Sequence, residues 1–240
     1  MQTAAASPAL IQDLVDANRI LFHQRIVDAF GHVSARHDTR GDRFLLARSV
    51  APSQVTAADI VEYDVATGEA VAADAPRPYL ERYIHSEIYK ARPDVMAVVH
   101  NHSPAVLPFG IVRGARLKPA CHMSGFLGAG PPVFEIRHSA GDASDLLIRN
   151  RELGAALAQT LGEERVVLMR GHGCTVVAES VRVVVYRAVY TELNARLLLQ
   201  ALPMGEVEYL TLEEADATRT TNEAQVDRPW NLWRQLAQGA

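Results

Sequence analysis

The sequence has 240 residues, of which 48% are hydrophobic and 22% are charged, and its formal net charge is −4. This balance is typical of a globular chain; no basic stripe favours a nucleic acid, and no apolar run of about eighteen residues favours a membrane span. The N-terminus lacks a basic segment followed by an apolar core, so we predict no signal peptide and a cytoplasmic protein. Two cysteines, Cys121 and Cys174, are too few for a disulfide framework.

The first third of the chain predicts one helix followed by strands. The Ser-Pro pair at 7–8 predicts a helix start, and an apolar stripe continues until Gly31 closes the helix. Residues 32–73 then predict strands in two hairpins, with turns at 38–41 and 67–68.

The rest of the chain alternates between helices and strands. The predicted elements are a helix at about 77–91, an apolar strand at about 95–100, a short strand within 132–137, a helix at about 144–161, a strand–turn–strand at 165–178 and a long helix at about 180–201. This order favours an α/β fold for 1–240: one three-layer α/β/α domain with a mostly antiparallel central sheet. The tail, about 206–240, is predicted to begin as a short helix and to end in an amphipathic segment.

Two histidines end the apolar strand in the sequence VMAVVHNHSPAV. Because side chains alternate along a strand, His100 and His102 point to the same side with Cα atoms about 6–7 Å apart. Two imidazoles at that spacing can bind one divalent ion. An isolated pair of this kind is more often a polar strand end that runs into a loop.

A second histidine motif, RGHGC at 170–174, makes the metal interpretation more specific. Glycines on both sides of His172 allow the backbone an unusual conformation and a close approach to a ligand. Upstream, Glu81 lies near the start of the helix that leads into the His-x-His strand. A first-turn glutamate favoured by the helix dipole is the alternative interpretation for Glu81, and Glu87 is predicted to face solvent.

Three segments together resemble the class II aldolase/adducin family: GHVSAR, ERYIHSEIYKARPDVMAVVHNHSP and VVLMRGHGCTVV. The resemblance covers about residues 10–205. It implies one divalent metal ion per subunit, held by His100, His102 and His172, with Glu81 as a further ligand or a proton shuttle. Zn²⁺ or Mn²⁺ is expected, and Fe²⁺ or Co²⁺ would also suit these ligands. The resemblance further implies a homotetramer with active sites between adjacent subunits.

Two departures argue against a sugar-phosphate aldolase. The usual Gly-Asn-x-Ser segment has His32 in place of asparagine, and the following loop, ARSVAPSQVT, carries Arg48 and no glycine. The pattern resembles the branch of the family that decarboxylates hydroxylated aromatic or heteroaromatic dicarboxylates. There the metal would stabilise the charge left on the ring after CO₂ loss, Glu81 or His32 would donate the proton, and Arg48 would bind the second carboxylate.

Alternatives stay open for the function and for several residues. An aldolase or epimerase acting on a sugar phosphate or sugar acid is the second hypothesis. A non-catalytic adducin-like module is disfavoured, because it needs no complete set of metal-binding histidines. Arg48 would in the alternative only pair with a surface acid, and His122 would be a structural or interface histidine.

The tail contains Trp230 and Trp233, which either pack in the core or belong to a segment that covers a neighbouring subunit's site. The second interpretation predicts that deletion after about residue 225 lowers activity more than melting temperature. We predict a small carboxylated substrate as the partner, and neither nucleic acid nor membrane.

Overall fold

The structure, a computed structural model, describes residues 5–239. Within this range one sheet has seven strands: β1 (His32–Arg36), β2 (Arg43–Ala47), β3 (Ile60–Asp64), β4 (Ala97–Asn101), β5 (Val133–Phe134), β6 (Val166–Met169) and β7 (Gly173–Ala178). Their order is β3-β2-β1-β4-β7-β6-β5, and only the β5–β6 pair is parallel. The predicted mostly antiparallel central sheet is therefore confirmed.

Helices cover both faces of this sheet. The described part of the chain contains α1 (Pro8–His23), α2 (Arg82–Ala91), α3 (Leu107–Ile111), α4 (Arg137–Ala140), α5 (Arg151–Leu161), α6 (Val181–Ala201), α7 (Leu212–Glu223) and α8 (Asp227–Gln238). Helices α1, α6 and α8 share one hydrophobic core with the sheet, and α2 and α5 share the other. None of the helices within 5–239 combines the length and apolar character that crossing a bilayer would need.

Strand β4 lies at the centre of the sheet and is buried along its whole length. Its alternation assigns Ala97 and Val99 to the core under α1 and α6, and Val98 to the core under α2 and α5. By the same alternation, His100 lies on the α2 side. Its cross-strand partner on β1 is His32, so these two histidines project from the same face.

The first helix ends earlier than the sequence predicts. Helix α1 stops at His23, and Arg25 takes a left-handed conformation with φ 59°. The Arg25 N–H donates to the Phe22 carbonyl and the Ile26 N–H donates to the Leu21 carbonyl, both at 2.9 Å, which is a Schellman closure. Glycine usually occupies this position, and a larger residue there costs on the order of 1 kcal/mol. The prediction of a helix to Gly31 was wrong because the apolar stripe continues past this reversal.

Other boundaries also differ from the predicted ones. Helix α2 begins at Arg82 and not near 77, because Glu81 takes a non-helical conformation (φ −94°, ψ 22°) in which its carboxylate contacts His100 and the Ile148 N–H. Helix α5 begins only after Asn150, whose side chain accepts the Leu153 N–H and caps the helix. In the second predicted hairpin, β3 forms, but its return arm makes only one bridge, between Tyr63 and Ala70.

The tail packs on its own chain. Helix α8 contacts α1 and α6, and both of its tryptophans are buried, Trp230 with only 1% of its surface exposed. This burial agrees with the packing interpretation, and it means that deletion of α8 would expose part of the core. That the tail also covers a neighbouring subunit's site stays a prediction.

We expect Trp230→Ala to lower the free energy of unfolding by about 3–5 kcal/mol, because it empties a large buried site. Denaturant unfolding measures this change. Leu232→Ala on the same helix is the matched control, since Leu232 is 54% exposed and its loss should change stability by about 0.5 kcal/mol at most. Equal stability of the two variants would contradict burial of Trp230 in the core.

Candidate metal centre

Strand pairing brings the two histidine motifs together. Strands β4 and β7 are neighbours, and Asn101 pairs with Cys174, so the end of the His-x-His strand lies beside the turn that carries His172. The Nε2 atom of His102 is 3.1 Å from the Nε2 atom of His100 and 3.1 Å from that of His172. Three imidazole nitrogens from two strand ends therefore converge on one point.

Glu81 completes the cluster from the segment that leads into α2, on the same side of the sheet as His100. It lies immediately before α2, and its Oε2 atom is 3.5 Å from His100 Nε2 and 3.4 Å from His172 Nε2. Its Oε1 atom accepts the Ile148 N–H at 2.8 Å, which fixes the orientation of the carboxylate. We call Glu81, His100, His102 and His172 the metal centre; their ligand atoms all lie within 4.8 Å of one another.

The spacing of these atoms fits a bound divalent cation. A tetrahedral ion with bonds of about 2.0–2.1 Å separates its ligand atoms by about 3.3 Å. The observed separations between neighbouring ligand atoms are 3.1–3.5 Å. His100 Nδ1 lies 3.2 Å from the Cys174 carbonyl oxygen, which can only accept, so Nδ1 carries the proton and Nε2 is left as a ligand.

The electrostatics of the centre favour the protonation states that a metal ion requires. Burial alone would raise the pKa of Glu81, but His100, His172 and the Ile148 N–H together lower it to about 2. Burial also lowers the pKa of His100 and of His102. At neutral pH, the centre thus offers an ionised carboxylate from Glu81 and neutral imidazoles from His100 and His102.

His32 packs against His100 of this centre, and its Nδ1 atom contacts another histidine, His85. The His32 ring centroid is 5.2 Å from that of His100, and its Nδ1 atom is 2.6 Å from His85 Nε2. His85 in turn contacts the Ser34 hydroxyl at 2.6 Å, which lies 2.8 Å from the Tyr89 hydroxyl. Burial, then His85, holds the pKa of His32 well below its usual value, so His32 is neutral.

His85 was not among the residues predicted from the sequence. A usable signal was its spacing, because His85 follows Glu81 by four residues and therefore lies on the same side of α2. Its partner His32 is on the facing strand, and that contact depends on packing of α2 against the sheet. Sequence alone does not specify it.

Arg48 is engaged by an acid. Its Nε atom is 2.6 Å from Asp59 Oδ1, and Asp59 Oδ2 accepts hydrogen bonds from the backbone N–H and the hydroxyl of Thr56. Hydrogen bonds from Thr56, and then Arg48, lower the pKa of Asp59, so its carboxylate is ionised at neutral pH. Arg48 thus pairs with an acid, as in the alternative interpretation, although Asp59 is buried and not a surface acid. That Arg48 also binds a substrate carboxylate stays a prediction.

Glu87 is buried in the structure, whereas His122 is exposed. Glu87 was predicted to face solvent, but it is only 4% exposed and receives the Arg151 Nε–H at 3.0 Å, so that prediction was wrong. Its partner comes from α5, which the local pattern around Glu87 does not reveal. His122 is exposed on a short 3-10 helix, and its carbonyl oxygen accepts a hydrogen bond from Asn222.

A cavity of about 820 Å³ opens beside His102. We call it the His102 cavity. Its walls are the end of α1 with the segment after it, the loop residues Ser53 and Pro104, and the end of α8. A substrate in this cavity would contact the half-buried ring of His102, which is one of the four residues of the metal centre.

Comparison with known proteins assigns the chain to a family. The family described as "Class II Aldolase and Adducin N-terminal domain" matches residues 12–199. Decarboxylase tropJ of Talaromyces stipitatus is 38% identical, over 93% of this chain and 92% of that protein. The 3,4-dihydroxyphthalate decarboxylase of Arthrobacter keyseri is 32% identical, over 79% of this chain and 77% of that protein.

Solved structures agree with this assignment at the level of the fold. L-fuculose 1-phosphate aldolase from Glaciozyma antarctica PI12 superposes with a TM-score of 0.78 and 19% identity, over 100% of this chain and 94% of that one. Such low identity shows the shared fold alone. With the matched domain and the decarboxylase relatives, the conclusion is that this chain belongs to the decarboxylase branch of the class II aldolase/adducin family and is an enzyme of the lyase class.

Proposed function

We propose that this protein is a divalent-metal-dependent decarboxylase of a hydroxylated aromatic or heteroaromatic carboxylate. The observation that carries the proposal is the convergence of three imidazole nitrogens and the Glu81 carboxylate beside the His102 cavity. The decarboxylase relatives support the reaction type, and the donor atoms support the metal.

In the proposed reaction, the bond between a ring carbon and its carboxylate carbon breaks. The electron pair stays on the ring, CO₂ leaves, and a proton takes its place on the ring carbon. A divalent cation at the metal centre would supply Lewis-acid stabilisation of the negative charge that builds on the substrate.

A side chain must donate the proton that replaces CO₂ on the ring carbon. Of the two groups proposed from the sequence, Glu81 has a pKa of about 2 and has no proton to donate at neutral pH. His32 is neutral, and its Nδ1 faces His85, so Nε2 is the nitrogen left for the substrate. We therefore propose that His32 Nε2 takes the proton of the substrate hydroxyl as the substrate binds and returns it to the ring carbon after CO₂ leaves, and that Glu81 ligates the metal.

The metal, assembly and location are also proposals. The ligand set suits Zn²⁺ or Mn²⁺, and also Fe²⁺ or Co²⁺. A homotetramer and a cytoplasmic location are supported by the resemblance to the family. Light scattering of the purified protein measures the first of these two directly.

The test is a product assay on the purified protein loaded with Mn²⁺ or Zn²⁺. We expect CO₂ release from an aromatic acid whose carboxylate is adjacent to a ring hydroxyl, such as 3,4-dihydroxyphthalate, and no release after chelation of the metal. Benzoate and phthalate without hydroxyl groups serve as controls and should release none. Cleavage of a sugar phosphate to a carbonyl product, with no CO₂ release from any hydroxyaryl acid, would support the aldolase alternative instead.

A further inference from the structure

Two arginines other than Arg48 lie at the wall of the His102 cavity. Arg19 and Arg25 both line it, and neither forms an ion pair with any residue in 5–239. Asp28 is the one acid that lines the cavity within this range, and its Oδ1 atom accepts the Phe30 N–H at 2.8 Å. The wall near the metal centre therefore carries two arginines against one carboxylate.

Arg25 occupies a backbone position that favours glycine. It is the residue after the cap of α1, with φ 59°, and it belongs to the Schellman closure described above. Only one other residue in 5–239 that is not glycine, Leu146, has a positive φ. Strained residues that persist in a fold are concentrated at functional sites, where the side chain is needed. The conformation at Arg25 gives the cavity a guanidinium at the cost of an unfavourable backbone.

The same wall offers a surface for an aromatic ring. Phe22 also lines the cavity and has 45% of its surface exposed, and the apolar residues Ile26 and Val27 lie beside it. An exposed aromatic side chain next to arginines suits a planar acid, because the ring stacks while a carboxylate accepts two parallel N–H bonds. The charge and the apolar surface thus point to one class of ligand.

We propose that Arg25, assisted by Arg19, binds the second carboxylate of an aromatic dicarboxylate whose first carboxylate is lost at the metal centre. This inference rests on the proposed function and refines its substrate class. It replaces Arg48 in that task, because Arg19 and Arg25 line the His102 cavity and Arg48 does not, and the Nε atom of Arg48 is already paired with Asp59.

The decisive experiment compares two substrates that differ only in the second carboxylate: 3,4-dihydroxyphthalate and 2,3-dihydroxybenzoate. We expect Arg25→Gly to lower kcat/KM for the dicarboxylate by about 10- to 100-fold, mostly through KM, since a charge-assisted contact is lost. Activity on the monocarboxylate should change by about threefold at most. Because glycine accepts a positive φ, the melting temperature should stay the same or rise.

Three further variants sharpen this comparison. Arg25→Lys should recover part of the activity on the dicarboxylate, because the charge returns without the planar fork. Arg40→Gln removes one charge at the turn between β1 and β2, outside the cavity, and should leave both activities unchanged. Arg48→Gln should not reproduce the selective loss; if it does, the second carboxylate binds Arg48 and the inference is wrong.

Binding of phthalate and benzoate, measured by calorimetry, gives a readout that needs no turnover. Wild-type protein should bind phthalate more tightly than benzoate, and Arg25→Gly should remove that difference. Equal effects of Arg25→Gly on both acids would overturn the inference while leaving decarboxylation intact. Absence of CO₂ release from both hydroxylated substrates by the wild-type protein would instead overturn the proposed function, and the inference with it.

Discussion

Replacement of His102 by alanine is expected to abolish stable metal binding and to reduce CO₂ release by about 10³-fold or more. Its Nε2 atom lies 3.1 Å from both other imidazole ligands, so its loss opens the middle of the donor set. Charge stabilisation worth several kcal/mol would then disappear from the transition state, and each 1.4 kcal/mol corresponds to about a tenfold change in rate. Elemental analysis after dialysis and the rate of CO₂ release measure the two effects.

A second histidine variant separates this loss from a general effect of the substitution. His138→Ala changes an exposed residue in α4 that is not part of the metal centre, and it should retain both metal and activity. Because His102 lies just after β4 and is half-buried, its replacement should leave the circular dichroism spectrum unchanged. Full metal content and activity in His102→Ala would show that the metal centre is assigned to the wrong side chains.

Substitution of Gly173 by alanine should damage the same centre through the backbone. A Cβ atom at this position would lie 2.1 Å from the Asn101 carbonyl oxygen and 3.1 Å from the His102 Cα atom. Both contacts are to backbone, so β4 and β7 must separate where the histidines converge. We expect the free energy of unfolding to fall by about 1–3 kcal/mol or more, and metal affinity to fall with it.

Gly41→Ala is the matched control for this substitution. A Cβ atom at Gly41 would meet no heavy atom of a non-adjacent residue within 4 Å, and the φ of Gly41 is not positive, so alanine there should be close to neutral. Denaturant unfolding and metal titration of the two variants give the comparison. A Gly173→Ala protein as stable as Gly41→Ala, with unchanged metal affinity, would contradict the close approach of the two strand ends.

The sequence predicts each histidine motif of the metal centre, but it does not predict that the two motifs lie next to each other. His100 and His102 share a side because of strand alternation, and the glycines around His172 indicate a tight turn; both are local properties. That these motifs face one another depends on the pairing of Asn101 with Cys174, between strands far apart in the chain. The resemblance to a family supplied that long-range contact, which periodicity does not encode.

The errors have two physical origins. Glu87 is buried because Arg151 on α5 neutralises it, a contact between segments far apart in the chain that the local pattern does not encode. The early end of α1 is instead local, because it comes from the left-handed Arg25, where the residue type gives no warning.

Titration of Mn²⁺ into metal-stripped protein, followed by CO₂ release from 3,4-dihydroxyphthalate, tests the central claim most directly. The four converging ligand atoms predict that the rate rises linearly and reaches its plateau at one ion per chain. They also predict that a protein lacking the His100, His102 and His172 side chains shows no rise. A rate that is independent of added metal, or an equal rise in the triple variant, would contradict the account.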